Sequence, residues 1–507
     1  MGGLRPESFS ARNSPWLTKC LNKRVTSEGL KGFYSITQPM TDNYLTSTLG
    51  ETKAWPFPQL FHGKAVTLLC FSDAIYTVNE STYVCTLVDT KNLDGTSGSI
   101  TAGRDWQFAD FYNSWMLTNG ESVVFKTGAS STVYVQSSVK IQAVCAHKEG
   151  RLLMGGFDDF YSTVDWNEYW RDKAGTLPSD LDAITDAAPG NNYVWWSSFM
   201  LPDMLAMFSS DSLTTGDRPY ALDLLYRNEA GLRPMPYQGY VLGLLPLGDG
   251  VVAYGSKGVR YLNPYQQGEV KTYGAQRFIG LPDTTGVYDG TTARGRFAGG
   301  NERHIFLEPG GELWQLTPDL QAQRLMFKEH LSALDPEKVV ITHEPLYDEF
   351  YISDGTLSFL LTKSNRLCKA STCPTAIHTL GSGAINAIKF ATSSPTAAQV
   401  EMEKMTTPSG EMETLCRVRI VGLSAASNTL TIKYRTKPSE DWYAYTATLD
   451  SLGEWNGAIT GLEFKILMDA TTATSVTYED VEVDFSTEIF GGSSHKLAAS
   501  APSAATE

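Results

Sequence analysis

The sequence predicts an all-β protein, a degenerate β-propeller of six or seven blades followed by an antiparallel β-sandwich. Three observations lead there. Short apolar or alternating runs broken by Gly, Asp and Asn recur along the chain, and few stretches carry a helical period. A turn bearing Asp or Gly, then a strand with a central aromatic, returns roughly every 36–53 residues, near the length of one blade. After residue 383 the texture changes to clean period-two alternation.

Residues 1–50 read as an extended N-terminal arm and lead-in segment. In the first 31 residues, Arg5, Arg12, Lys19, Lys23, Arg24 and Lys31 face only Glu7 and Glu28, a net of +4. With Phe9, Trp16 and Phe33 as apolar anchors, such a segment orders on a neighbouring copy or wraps its own fold. The residues expected to carry assembly are Arg5, Phe9, Arg12, Trp16, Lys19, Lys23, Arg24 and Phe33.

Residues 51–382 carry the repeat. Its aromatics are Tyr76, Phe125, Tyr161, Tyr261, Trp314 and Phe359, with a weaker copy at Phe208. Between them lie apolar hairpins such as 141–145 with 151–154 and 241–245 with 251–254. A blade needs this layout: inner apolar strands against the neighbouring blades, then a more polar outer strand. The segment 173–202 interrupts the pattern. Asp180, Asp182 and Asp186 have D-x-D spacing but lack the glycine and terminal Glu of a calcium loop, so a solvated loop is expected.

Residues 383–490 read as the sandwich. Val418 and Ile420, then Leu430, Ile432 and Tyr434, Phe464 and Ile466, and Val481, Val483 and Phe485 each alternate with polar residues. Residues 401–490 hold 15 acidic against 7 basic side chains, more than half of the chain's net −15. Residues 491–507 are low in complexity and read as a flexible tail.

Charge and composition exclude several classes. A pI near 5.0 argues against a protein that grips duplex DNA through its phosphates. No apolar run reaches the roughly 18 residues of a membrane span. The first residues lack the apolar stretch of a signal peptide, so export through that route is not expected. Seven scattered cysteines read as reduced thiols made in a cytoplasm. Cys368, Cys373 and His378 group loosely but lack the paired spacing of a zinc site, so no metal or cofactor is expected.

Catalytic motifs are sparse. The chain has no phosphate loop, H-E-x-x-H helix or G-x-S-x-G elbow. His343, Glu344, Asp348 and Glu349 read as a salt network at a blade edge. Asp158, Asp159, Asp165 and Glu168 offer a carboxylate pair of the glycosidase kind. However, the Ser-x-Asp-x-Gly-x-Thr-Trp turn of sialidase-type propellers is not repeated, and residues 353–356 are only a fragment of it. No enzyme is expected. A glycan-binding protein would expose aromatic platforms, and the candidates are Trp166, Tyr169, Trp170, Trp195 and Trp196.

The order of parts is a basic Gly-Leu-Arg-Pro arm at residues 3–6, the Trp-Pro-Phe-Pro run at 55–58, a degenerate propeller and a terminal sandwich. This layout resembles the tail nozzle (tail tubular protein B-like, or tail hub) components of short-tailed bacteriophages over most of the chain. The resemblance implies a non-enzymatic hexameric ring or tube in the virion tail, assembled in the host bacterial cytoplasm. It implies a head-to-tail adaptor above, fibres or spikes at the flank, and double-stranded DNA passing through without being read. An acidic balance suits that role, because a lining rich in Lys and Arg would hold the phosphates. The alternative is a receptor-binding or glycan-binding tail protein.

Overall fold

Six four-stranded antiparallel meanders follow one another along the chain, each strand pairing with the next in sequence. The computed structural model describes residues 17–26, 29–32, 55–58, 66–79, 84–111, 114–128, 130–137, 140–158, 191–197, 231–237, 239–267, 270–290, 296–370, 374–378, 386–390, 398–421, 428–470, 480–486 and 494–498. The fold is all-β; among the described residues the one α-helix is the four-residue Lys328–Leu331. Two compact units divide the chain. The first comprises Pro39–Arg324 and Asp335–Val339, the second Met1–Gln38, Leu325–Leu334 and Val340–Glu507.

The first unit holds five meanders, spanning residues 55–87, 107–136, 140–234, 241–276 and 297–324. The apolar runs of the second, third and fourth are long because both faces of those sheets are covered. Ile141, Val144, Leu152 and Met154 of the third meander pack toward the second meander. Ala143, Cys145, Leu153 and Val194 pack toward the fourth. The same arrangement joins first to second and fourth to fifth, so consecutive sheets stack face to face in chain order.

Polar staples reinforce each stack. Thr118 of the second meander donates to the Ile141 carbonyl of the third. His147 Nε2 donates to the Asp249 carbonyl at 2.8 Å, and His304 Nε2 donates to the Pro246 carbonyl at 2.8 Å. Gln107 reaches further. Its amide donates to the Leu242 carbonyl at 3.1 Å and accepts from the Leu244 N–H at 3.2 Å, linking the first strands of the second and fourth meanders. The first strands of these two non-adjacent sheets therefore approach each other.

The repeat aromatics among the described residues fall on one kind of strand; Tyr161 and Phe208 lie outside the described residues. Tyr76, Phe125, Tyr261, Trp314 and Phe359 all lie on the third strand of their meander. The turn before that strand is tight. Asn119 accepts from the N–H groups of Glu121 and Ser122, and Asp354 accepts from those of Thr356 and Leu357. Gly120 (φ 86°) and Gly355 (φ 90°) supply the left-handed residue between them.

In the second unit, the sixth meander (residues 340–369) is part of a ten-stranded sheet. Leu367–Lys369 pairs in parallel with Leu17–Leu21, which pairs antiparallel with Ala398–Met402. The sheet continues through Glu463–Ala470 and Asn428–Arg435 to Tyr443–Ala447. A second sheet orders Glu454–Gly461, Glu413–Val421, Asp480–Ser486 and Ser494–Ala498. Phe464 and Phe485 meet across the two sheets at 5.2 Å between ring centroids. Leu430, Ile432, Ile466, Val418, Ile420 and Val483 are buried beside them.

Three expectations change. Residues 17–21, 23–26 and 29–32 are strands of the chain's own fold where an extended arm is expected. Residues 494–498 pair with Asp480–Ser486 where a flexible tail is expected. The sixth meander groups with the C-terminal sheets, not with the other five, because Leu17–Leu21 hydrogen-bonds to both.

Candidate functional site

The expected assembly residues that lie within the described chain are engaged intramolecularly. Lys23 is buried, and burial lowers its ammonium to about 8. Arg24 forms a bidentate pair with Glu349, with Nη2 2.6 Å from Oε1. Lys19 is half exposed and lies 3.6 Å from Glu401. Lys19 thus meets the acidic C-terminal module at Glu401 and Arg24 meets the sixth meander at Glu349, both within one chain. Arg5, Phe9, Arg12, Trp16 and Phe33 lie outside the described residues.

Trp195 and Trp196 do not form an exposed platform. They sit on the third strand of the third meander, paired on both sides, and are 5% and 4% exposed. Trp195 packs with Met154 and Phe157, while Trp196 meets Tyr273 at 5.4 Å. Adjacent residues of a strand point to opposite faces, and both faces are covered here. Trp166, Tyr169 and Trp170 lie outside the described residues.

The titratable groups singled out from sequence serve turns and pairs. His343 meets Asp348 at 3.1 Å, and Glu344 accepts from the N–H groups of Leu346 and Tyr347. Asp158 accepts from Gln142 at 3.3 Å. Burial raises the Cys368 thiol; the side chains of Cys373 and His378 and the residues Asp159, Asp165, Glu168, Asp180, Asp182 and Asp186 lie outside the described residues. Among the described residues, no three His, Cys, Asp or Glu side chains group to hold a metal ion. No helix among them is long and apolar enough to cross a membrane.

A groove opens where the two C-terminal sheets part. It has a volume of about 320 Å³ and is lined by Tyr434, Tyr445, Trp455 and residues 456–460. Its walls are the outermost strands of the two sheets, Tyr443–Ala447 and Glu454–Gly461. On the first wall, Tyr443 and Tyr445 face the interior side, as Ala447 does, but remain 56% and 46% exposed. Tyr443 packs on Tyr434 at 5.6 Å and Tyr445 on Trp455 at 5.9 Å. On the second wall Trp455 and Ile459 face the interior, while Asn456 and Thr460 alternate to the outer face, where Thr460 shares a hydrogen bond with Thr414 at 3.0 Å.

The pleat keeps charge out of the groove. On the outer face of the large sheet, Lys433 and Lys465 reach Glu401 at 3.0 and 3.3 Å. Burial pushes the Glu401 carboxyl up, but the two lysines outweigh it and hold it below its ordinary value. Arg435 and Lys404 bind Glu463 in the same way, and Trp442 lies under Arg435 at 4.6 Å. On the outer face of the second sheet, Arg417 bridges Asp484, Glu454 and Glu482.

Sequence reading missed this groove. Tyr443 and Tyr445 alternate as core residues do, and only their place on an outermost strand leaves them open. The one available signal was the density of aromatics at 442, 443, 445 and 455 beside small residues at 457 and 458.

No protein-family profile and no curated protein matches the chain. Solved structures with similar β-rich architecture include PorZ of the type-IX secretion system of Porphyromonas gingivalis, at 9% identity and a TM-score of 0.32. The match covers 73% of this chain and 36% of that one. The extracellular domain of the putative one-component system BT4673 from B. thetaiotaomicron is similar at 10% identity and a TM-score of 0.35, over 90% of this chain and 57% of that one. AztD from Citrobacter koseri is similar at 8% identity and a TM-score of 0.34, over 83% of this chain and 90% of that one.

Proposed function

We propose that the chain is a non-enzymatic structural subunit of a short-tailed bacteriophage tail that assembles into a ring or tube. In that role it continues the channel of the portal and adaptor and conducts double-stranded DNA during ejection. The five meanders of the first unit are blades of its propeller; the approach of two first strands at Gln107 supports a fan of sheets about an axis.

The observation that supports the role most is the ten-stranded sheet. Leu17–Leu21 hydrogen-bonds to the last strand of the sixth meander and to the first strand of the C-terminal module, so meander and module share one sheet. A shared sheet has no hinge between its parts. That rigidity suits a wall that must hold its bore while DNA passes, and it does not suit a lid or a closing cleft. The groups with catalytic chemistry hold turns and strands, and the net charge of −15 favours passage of a polyanion without retention. Antibody labelling of intact virions tests the reading. Signal at the tail is expected; a chain absent from the particle overturns it.

A further inference from the structure

The open edge of the C-terminal module has a chemistry that the conduit role does not use. We propose that the groove between Tyr443–Ala447 and Glu454–Gly461 binds a neutral oligosaccharide.

Three features select that ligand. Tyr443 and Tyr445 project from one face of an outermost strand and stay about half exposed, although each is braced by a second ring, Tyr434 or Trp455. Braced, exposed rings offer flat apolar faces to the C–H side of a sugar with little loss of side-chain freedom. The polar groups at hand are uncharged. They are the hydroxyl of Tyr445 and the main chain of residues 456–460 along the open edge of the second sheet. A phenol hydroxyl and main-chain amide groups together donate and accept, which matches sugar hydroxyls.

The third feature is what the lining lacks. It contains no Lys, Arg, Asp or Glu, because both sheets turn those side chains to their outer faces. A sialylated or sulfated glycan would find no ion pair in the groove, and a neutral one needs none. A partner strand added to the open edge would be held by main-chain hydrogen bonds and would survive the loss of a single ring. The groove is a property of the folded module and stands whether or not the chain forms a tail conduit.

The test applies the full-length protein to an array of neutral oligosaccharides of glucose, galactose, mannose and N-acetylglucosamine, with sialylated and sulfated glycans beside them. At least one neutral series is retained. Tyr445→Ala weakens that binding by roughly tenfold, and Tyr443→Ala weakens it with an unchanged melting temperature. Tyr265→Ala, at an exposed tyrosine of the fourth meander, leaves it intact. Retention of no neutral glycan, retention of anionic glycans alone, or binding that survives both groove variants overturns the proposal.

Discussion

The guanidinium of Arg24 clasps the carboxylate of Glu349 across 325 residues of sequence, at 2.6 Å between Nη2 and Oε1 and 3.2 and 3.3 Å from Nε. The two side chains are 10% and 3% exposed, and the Tyr347 ring lies 5.3 Å from the guanidinium. The pair fastens the hairpin of Lys23–Thr26 and Gly29–Gly32 to the sixth meander. The strand Lys23–Thr26 is thereby part of the core of the chain's own fold.

Arg24→Met strips Glu349 of its bidentate partner in a site nearly closed to water. Removing one member of such a pair costs about 3–5 kcal/mol, whereas replacing both members restores most of the loss. Urea unfolding of Arg24→Met and of Arg24→Met with Glu349→Leu measures both. A single-variant loss below about 1 kcal/mol would place the pair among solvent-screened surface bridges.

His147 makes stability fall in mild acid. Its Nε2–H donates to the Asp249 carbonyl and its Nδ1 accepts from the Tyr273 hydroxyl at 2.9 Å, so the imidazole is neutral. Burial holds it below the ordinary imidazole value, against the opposing pull of the Asp249 carbonyl and Glu149. A lowered histidine contributes its full stability above the unfolded value near 6.5 and loses it as pH falls toward the folded value. Thermal melts from pH 7.5 to 5.5 should drop further for the wild type than for His147→Gln. Equal drops would show that His147 does not titrate with unfolding.

Gly156 marks the close approach of the third and fourth meanders. Its φ is 68°, and a Cβ there would stand 2.2 Å from the Val241 carbonyl oxygen and 2.7 Å from the Gln142 Cβ. The obstacle is backbone, so Gly156→Ala must separate the sheets or change the turn, at a cost of about 2 kcal/mol or more. Gly128→Ala carries a similar φ of 55° with no atom near its Cβ. It isolates the conformational part, and a chemical-denaturation difference between the two variants reads the sheet contact alone. Equal losses would mean that the sheets give way freely.

The meanders were legible because their signals are local. Phe125, Tyr261 and Trp314 each follow a turn within a few residues, and strand and turn chemistry act at that range. The N-terminal segment stayed open between a neighbouring copy and the chain's own fold because its partners are remote: Leu17 pairs with Met402 and Leu21 with Lys369. Charge at Lys23 and Arg24 suggested a contact with another copy, and nothing near them in sequence marks Glu349 as the partner of Arg24. Trp195 and Trp196 suggested a platform for the complementary reason, since a strand covered on both faces looks the same in sequence as one covered on neither. Tyr443 and Tyr445 show the converse, an alternation typical of a core whose covering strand is missing.

The central claim is that copies of this chain close into a ring around a bore. Contacts between copies that repeat head to tail close when the rotation per subunit divides a full turn. Native mass measurement of the full-length protein, alone and with a head-to-tail adaptor, tests this together with imaging of the same sample. A single closed species with a central opening is predicted, with six copies as the resemblance to tail nozzles implies. A chain that stays monomeric at every concentration, both alone and with virion tail proteins, would contradict the account.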